Sequence, residues 1–214
     1  MRILLIILLF LATKVYAEEL TGLFGIKFAE NYKGFGIFDA NILKEIDSIE
    51  QLGSIKKHYE NAERTKKKYK IDPPNKNQNF DAYRIITSDL TGTVLSIMAN
   101  GKPIDEINAC NNRINFYDLF FNEKYSSSYK IESRKLEWGI IINFYKAESS
   151  NDNLIETYKD YAVINYHCQG YIIGKIMDSD IIKKYEINET NQILNIINSR
   201  INELIIDDSD STGL

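Results

Sequence analysis

The sequence predicts an α+β fold with a mainly antiparallel sheet, a long helix that carries Cys110, and a C-terminal helix. Three observations lead to this prediction. Two runs rich in β-branched and aromatic residues flank a short turn that ends at Gly92. An apolar stripe at helical spacing follows them, and further β-type runs then precede a second helical pattern near the C-terminus.

The first 17 residues have the pattern of a secretory signal peptide. Arg2 precedes a short apolar run, and Ala17 follows Val15 and Tyr16 with a small residue where a signal peptidase cuts. The apolar run is too short for a comfortable membrane span, although an uncleaved anchor is the alternative. We therefore expect a periplasmic or secreted protein that begins at Glu18 and has no stable membrane span after cleavage.

The charge of the mature chain argues against nucleic acid as a partner. The full chain of 214 residues has a formal net charge of −4. Cleavage removes Arg2 and Lys14, so 24 basic residues face 30 acidic ones and the net charge becomes −6. Nucleic acid is bound mainly through a positive field, which this balance does not provide.

The N-terminal part of the mature chain predicts a strand, a hairpin partner and a short helix. Residues 20–28 are an apolar run punctuated by glycines, and residues 33–38 could pair with it. Residues 41–53 have apolar side chains at helical spacing. Residues 54–74 are polar and basic, and we interpret their lysine run, residues 66–70, as a solvated face, with a surface for an acidic partner as the alternative.

The central hairpin is predicted from residues 80–88 and 93–99. Alternation of side chains places Tyr83 and Ile85 on one face, and it places Leu95, Ile97 and Ala99 together on a face of the partner strand. Gly92 provides the positive φ that such turns often need.

A long helix is predicted after the hairpin. Pro103 suits a first helical turn, and Asp105 and Glu106 favour a helix start through the helix dipole. The following apolar residues are spaced by three and four, which indicates one buried stripe. This stripe consists of Ile107, Cys110, Ile114, Tyr117, Phe121 and Tyr125.

The remaining chain predicts strands and a terminal helix. Residues 131–145 are interpreted as one long strand, and Gln169-Gly170 as a turn between two further strands. The first of these, residues 155–168, is expected to place one set of side chains on one face: Tyr158, Ala162, Ile164 and Tyr166. Ser179 and Asp180 are expected to cap the last helix.

Residues 18–206 are predicted to form a single α+β domain, followed by an acidic tail of residues 207–214. The pattern of strands and helix in residues 80–125 is echoed loosely in residues 155–206. A duplication that gives two similar halves is therefore an alternative description of the domain.

Cys110 and Cys168 are the only two cysteines, and we predict that they form a disulfide. An even pair in a small secreted domain favours oxidation. Cys168 falls at a strand end, where a helix packed on the sheet could meet it. Two free buried thiols are the alternative.

Residues suited to catalysis are few. No residue of a type that binds metals lies at a suitable spacing from His58. His167 is next to Cys168 in a predicted strand, so alternation turns the His167 and Cys168 side chains to opposite faces, which argues against a catalytic Cys-His pair. Asp105/Glu106 and Asp178/Asp180 fall at helix starts, where capping explains them. The common serine, zinc and redox motifs are absent from the sequence, so we expect no catalytic residues, no metal site and no cofactor.

The sequence resembles small secreted or periplasmic bacterial proteins in three features. They are the opening of residues 23–28, the Tyr69 to Tyr83 stretch before a hairpin, and cysteines in the following helix and in a late strand. The resemblance implies no activity. We interpret the chain as an extracytoplasmic, non-enzymatic binding protein with a protein or glycan partner. The alternatives are a secreted hydrolase that uses carboxylates or His167, and a host-directed effector.

Overall fold

The computed structural model describes residues 18–32, 34, 40–61, 66–148 and 157–211. The helices in these ranges are α1 (Ala40–Lys44), α2 (Ile49–Tyr59), α3 (Ile107–Tyr125), α4 (Ser179–Lys183), a π-helical segment (Lys184–Glu189) and α5 (Thr190–Ser211). The strands are β1 (Gly22–Leu23), β2 (Ile26–Lys27), β3 (Lys66–Ile71), β4 (Ala82–Ser88), β5 (Val94–Asn100), β6 (Lys130–Leu136), β7 (Gly139–Glu148), β8 (Thr157–His167) and β9 (Tyr171–Ile176).

Strands β3 to β9 form one sheet of seven strands in the order β3-β4-β5-β9-β8-β7-β6, and every neighbouring pair is antiparallel. The predicted α+β class with an antiparallel sheet is therefore confirmed. The pairing of β5 with β9 joins the hairpin before α3 to the three strands β6, β7 and β8 after it.

Helix α3 covers the sheet on one face, and its buried stripe agrees with the prediction at five positions: Cys110, Ile114, Tyr117, Phe121 and Tyr125. Ile107 was predicted to be buried as well, but it is 39% exposed. The helix begins at Ile107 rather than at Pro103, and Glu106 occupies the N-cap position without a side-chain hydrogen bond. Since Ile107 is the first helical residue, it lies beyond the contact with the sheet.

The N-terminal segment covers the other half of the same face. Phe28 and Ile26 are buried against Ile85 and Ile97. Residues 20–28 were predicted as one strand, but they form the two short strands β1 and β2. Phe24 and Gly25 have φ values of 55° and 75°, which close a tight turn between them. The predicted partner, residues 33–38, lies outside the described residues except for Gly34.

Helices α1, α2 and α5 pack on each other beside the β4–β5 turn, with Leu52, Ile193 and Ile197 buried between them. The predicted helix of residues 41–53 is in fact two helices. Ser48 separates them because its side chain accepts a hydrogen bond from the Gln51 backbone N–H and starts α2.

Strand β3 was not predicted, because it was assigned to the polar stretch of residues 54–74. Its sequence is dominated by lysine, which is common on edge strands that remain in water. The predicted strand of residues 131–145 is divided by a turn at Glu137 and Trp138 into β6 and β7. A register shift between Phe144 and Tyr145 has a further consequence, because it turns Tyr158 to the face opposite Ala162.

The C-terminal helices begin at a different cap from the one predicted. Asp178, rather than Ser179 or Asp180, is the N-cap, and its side chain accepts from the Asp180 backbone N–H at 3.0 Å. The π-helical segment, Lys184–Glu189, stands between α4 and α5. The predicted tail is helical up to Ser211.

The predicted disulfide is confirmed. Cys110 and Cys168 are bonded, with an S–S distance of 2.06 Å and Cα atoms 5.8 Å apart. None of the described helices is long and apolar enough to cross a membrane.

Candidate functional site

A groove runs along α3 beside the loop of residues 75–81, and we call it the helix groove. It consists of three adjoining cavities of about 440, 530 and 340 Å³. Asn77 and Tyr117 line the first two cavities, and Asn79 and Arg113 line the second and third. These shared residues make the cavities one continuous depression. Each of the three cavities is in the size range of ordinary ligand clefts.

The loop wall of the groove is held in place by Tyr83 of β4. The backbone N–H of Asn77 donates to the Tyr83 hydroxyl at 2.9 Å, and this hydroxyl lies 3.0 Å from the carbonyl of Asn77. The Asn77 side chain accepts from the backbone and the side-chain N–H groups of Asn79, both at 2.9 Å. Because the loop is fixed by these bonds, binding would not need to order it.

The end of the groove is formed where two backbone segments cross closely. Gly101 donates its N–H to the carbonyl of Gly170 at 2.7 Å, and Ile104 donates to the carbonyl of Cys168 at 2.6 Å. Gly170 has a φ of +89°, and a Cβ atom there would lie 2.4 Å from the Gly101 oxygen. Glycine is therefore required at this crossing.

Arg113 is the charged residue at the centre of the groove. Of the described residues that line the middle cavity, it alone is charged. It bonds to the Tyr117 hydroxyl, and burial nevertheless raises the pKa of Tyr117 above its usual value. Within the described chain, neither Arg113 nor Lys102 at the groove end forms an ion pair with a carboxylate, although the exposed Asp81 lines the same end cavity.

An apolar ridge of three side chains, Phe116, Leu119 and Phe120, stands on the outer side of α3. Their exposed fractions are 56%, 61% and 39%. The rings of Phe116 and Phe120 stack with centroids 5.9 Å apart, and Lys124 lies 5.4 Å from the Phe120 centroid. Phe116 also lines the middle cavity, so the ridge and the helix groove form one surface.

This ridge was not recognised in the sequence. Phe116, Leu119 and Phe120 are spaced by three and four residues, and they form a second stripe beside the buried one. Two apolar stripes on one helix indicate that it has contacts on two sides. In this structure the sheet supplies only one of them.

The side chains on this surface are suited to recognising a ligand. Its amide groups, Asn75, Asn77, Gln78 and Asn79, can both donate and accept hydrogen bonds. Arg113 presents a planar fork of donors that matches a carboxylate. Aromatic side chains, an arginine and an apolar centre are the composition typical of protein interfaces.

The predicted residues His167 and Cys168 do not form a catalytic pair. Cys168 is consumed in the disulfide. The His167 ring stacks on Tyr171 with centroids 5.3 Å apart, and its Nδ1 accepts from the Gln169 backbone N–H at 3.1 Å. This leaves His167 as a half-exposed side chain on the sheet face opposite α3.

The carboxylates considered in the sequence do not line the three cavities of the groove. Asp105 and Glu106 are exposed before α3. Asp178 and Asp180 are both contacted by Lys159, at 3.5 and 3.0 Å. Among the described residues, no group of three or more acidic, histidine or cysteine side chains is arranged to hold a metal ion.

A buried ionic cluster was not anticipated. Asp89 in the β4–β5 turn has only 1% of its side chain exposed, and it lies 2.6 Å from Lys67 and 3.6 Å from His58. Tyr59 bonds to the same carboxylate, and burial together with Asp89 raises the pKa of Tyr59 to about 12. The cluster connects α2 to the sheet, so its role is structural.

Comparison with known proteins found no matching family model, no similar curated protein and no similar solved structure. The function must therefore be argued from the chemistry of the chain itself.

Proposed function

We propose that this protein is a non-enzymatic, extracytoplasmic binding protein that holds a segment of a partner protein in the helix groove and on the adjoining apolar ridge. The signal-peptide pattern of residues 1–17, which lie outside the described residues, supports export. The Cys110–Cys168 disulfide supports an oxidising compartment.

The observation that carries the proposal is the exposure of Phe116, Leu119 and Phe120 on a helix whose opposite side is fixed to the sheet. Single exposed apolar residues are ordinary on protein surfaces, but a contiguous patch beside a cleft marks an interaction site. These side chains are mounted on a helix of 19 residues that the disulfide anchors near its start, so they are presented rigidly.

The partner segment is expected to combine apolar side chains with a carboxylate. The apolar side chains would cover the ridge, and the carboxylate would pair with Arg113, which has no acidic partner in the described chain. The amides of the loop wall would bond to the backbone of the segment. A glycan would use the amides and aromatic rings as well, but it would leave Leu119 in water.

The proposal is tested by replacing Leu119 with a photoreactive amino acid in the exported protein and cross-linking it in its native envelope and medium. We expect one stoichiometric protein adduct. Leu119→Glu and Arg113→Gln should each weaken binding of the purified partner by about tenfold or more, which is the effect of losing a central contact.

The matched control is Ile42→Glu. Ile42 lies on α1 and is 59% exposed, close to the 61% of Leu119, and it undergoes the same change of charge. Binding that is unaffected by Leu119→Glu, or affected equally by Ile42→Glu, would contradict the proposed surface. The absence of a protein adduct from both envelope and medium would overturn the proposal of a protein partner.

A further inference from the structure

The second face of the sheet carries an apolar depression that is separate from the helix groove, and we call it the sheet trough. It encloses about 480 Å³. Its floor is made by side chains that the strand register places next to each other. Met98 of β5 is opposite Ile173 of β9, and Ile86 of β4 is opposite Ser96 of β5.

The trough is closed at one end by the C-terminal helices. Ile182 of α4 and Tyr185 of the π-helical segment form this end wall, and Leu95 and Ile176 complete it. Since the depression has an end, it has the shape of a slot for one chain rather than of a flat surface. Its lining is mainly apolar, and the exceptions are Ser96, the Tyr185 hydroxyl and two lysines.

The two lysines lie on opposite flanks of the trough, because Lys66 belongs to β3 and Lys175 to β9, three strands away in the sheet. Lys66 lies 5.4 Å from the centroid of the Tyr185 ring, and Lys175 is exposed on β9 next to Ser96. The rest of this sheet face is positively charged as well. Strands β3, β4, β5 and β9 contain no acidic residue, and their register adds three cations to the same face: Lys68, Lys70 and Arg84.

We infer that the sheet trough binds a single medium-chain fatty acid, with the acyl chain along Ile86, Met98 and Ile173 and the carboxylate at Lys175. The apolar floor excludes a small hydrophilic anion, because such a ligand would gain nothing from burial there. The cations exclude a neutral hydrocarbon as the best ligand. The closed end and the limited volume favour one free chain over a bilayer surface.

The test uses the oxidised, full mature protein and dodecanoate. Binding is followed by displacement of a fluorescent dodecanoic acid probe and by calorimetry. We expect 1:1 binding that Ile173→Thr and Lys175→Glu each weaken by about tenfold, because the first replaces an apolar ethyl group of the floor with a hydroxyl and the second removes the cation that pairs with the carboxylate. Met98→Gln is a second floor variant in case Ile173→Thr fails to fold.

Two controls are matched to these variants. Ile141→Thr changes the same residue type on the same sheet face two strands away, where it does not line the trough. Lys44→Glu makes the same charge change on α1. Both controls should bind dodecanoate normally. An equal loss of dodecanoate affinity in a control and in its matched trough variant would overturn the assignment. Failure of the unmodified protein to bind dodecanoate would overturn it as well.

A further arm distinguishes the free fatty acid from a membrane lipid. The protein is mixed with phosphatidylglycerol vesicles and, separately, with phosphatidylcholine vesicles. Binding to the anionic vesicles with no binding of monomeric dodecanoate would overturn the proposal and identify a lipid surface instead. Since the trough lies on the sheet face opposite α3, Leu119→Glu should leave dodecanoate binding unchanged, so this proposal and the protein-partner proposal can fail separately.

Discussion

Cys110 and Cys168 connect the first turn of α3 directly to the residue that follows β8, with their Cα atoms 5.8 Å apart. Arg113 lies three residues after Cys110, so the disulfide also fixes the turn of the helix that carries the central charge of the helix groove. The bond therefore serves both the stability of the fold and the position of the candidate site.

Replacement of both cysteines by serine should lower the free energy of unfolding by about 4 kcal/mol, because the bond closes a long loop in the unfolded chain. Guanidinium denaturation of the oxidised protein and of the double variant measures this difference. A reducing agent should destabilise the unmodified protein and leave the double variant unchanged. Equal stability of the two oxidised proteins would contradict the expected contribution.

Replacing Gly170 and Gly53 with alanine should change the free energy of unfolding in opposite directions. Gly170→Ala places a Cβ atom at a φ of +89° and 2.4 Å from the Gly101 oxygen, so we expect a loss of about 1–3 kcal/mol. Gly53 lies inside α2 with open space around it, so Gly53→Ala should gain about 1 kcal/mol. Urea denaturation of both variants provides the comparison, and a stabilising Gly170→Ala would contradict the described crossing.

The parts of the fold that followed from the sequence are those that depend on local periodicity. The β4–β5 hairpin could be predicted because two β-type runs flank Gly92, which has a φ of 67° in the structure. The buried side of α3 could be predicted from its spacing, and the disulfide from the placement of Cys110 in that stripe. The hairpin and the buried stripe are local signals, whereas the disulfide followed from there being two cysteines in the chain, one of them in that stripe.

The parts that did not follow depend on tertiary contacts. Strand β3 has a lysine-rich sequence and becomes a strand only because β4 provides a hydrogen-bonding edge. Tyr158 could not be placed because a register shift in β7–β8 is needed to reverse its face. The helix groove needs the loop of residues 75–81 to lie against Arg113, which no pattern along the chain indicates.

Glu189 should make stability depend on pH in a defined direction. Burial raises the pKa of its carboxyl, although Thr91 donates a hydrogen bond to it at 3.2 Å. A raised native pKa favours the protonated form, so its contribution is present at low pH and is lost as the pH rises through the native pKa. Glu189→Gln should therefore stabilise the protein at pH 7 more than at pH 4.

This difference is measured by denaturing both proteins at pH 4, 5, 6 and 7 and subtracting the unfolding free energies, which removes the titration of the other groups. A difference that does not change with pH would show that the Glu189 carboxyl has the same pKa in the folded and the unfolded chain.

Tyr59 should make the protein sensitive to alkali. Burial and the Asp89 carboxylate raise the pKa of Tyr59 to about 12, against an ordinary value of about 10. The protonated phenol bonds to a charged acceptor, so Tyr59→Phe should lose about 1.5–3 kcal/mol at pH 8. The stabilisation is complete below pH 10 and is lost between pH 10 and 12, because the folded state then resists ionisation of the phenol.

The gap in unfolding free energy between the unmodified protein and Tyr59→Phe should therefore narrow from pH 8 to pH 11.5, as measured by guanidinium denaturation. Tyr158→Phe provides the control, because it makes the same substitution at a tyrosine that is 41% exposed on the sheet surface. A gap for Tyr59→Phe that stays constant up to pH 11.5 would contradict the raised pKa of Tyr59. A gap that closes would show that burial and the Asp89 carboxylate together keep the Tyr59 phenol neutral in the folded protein.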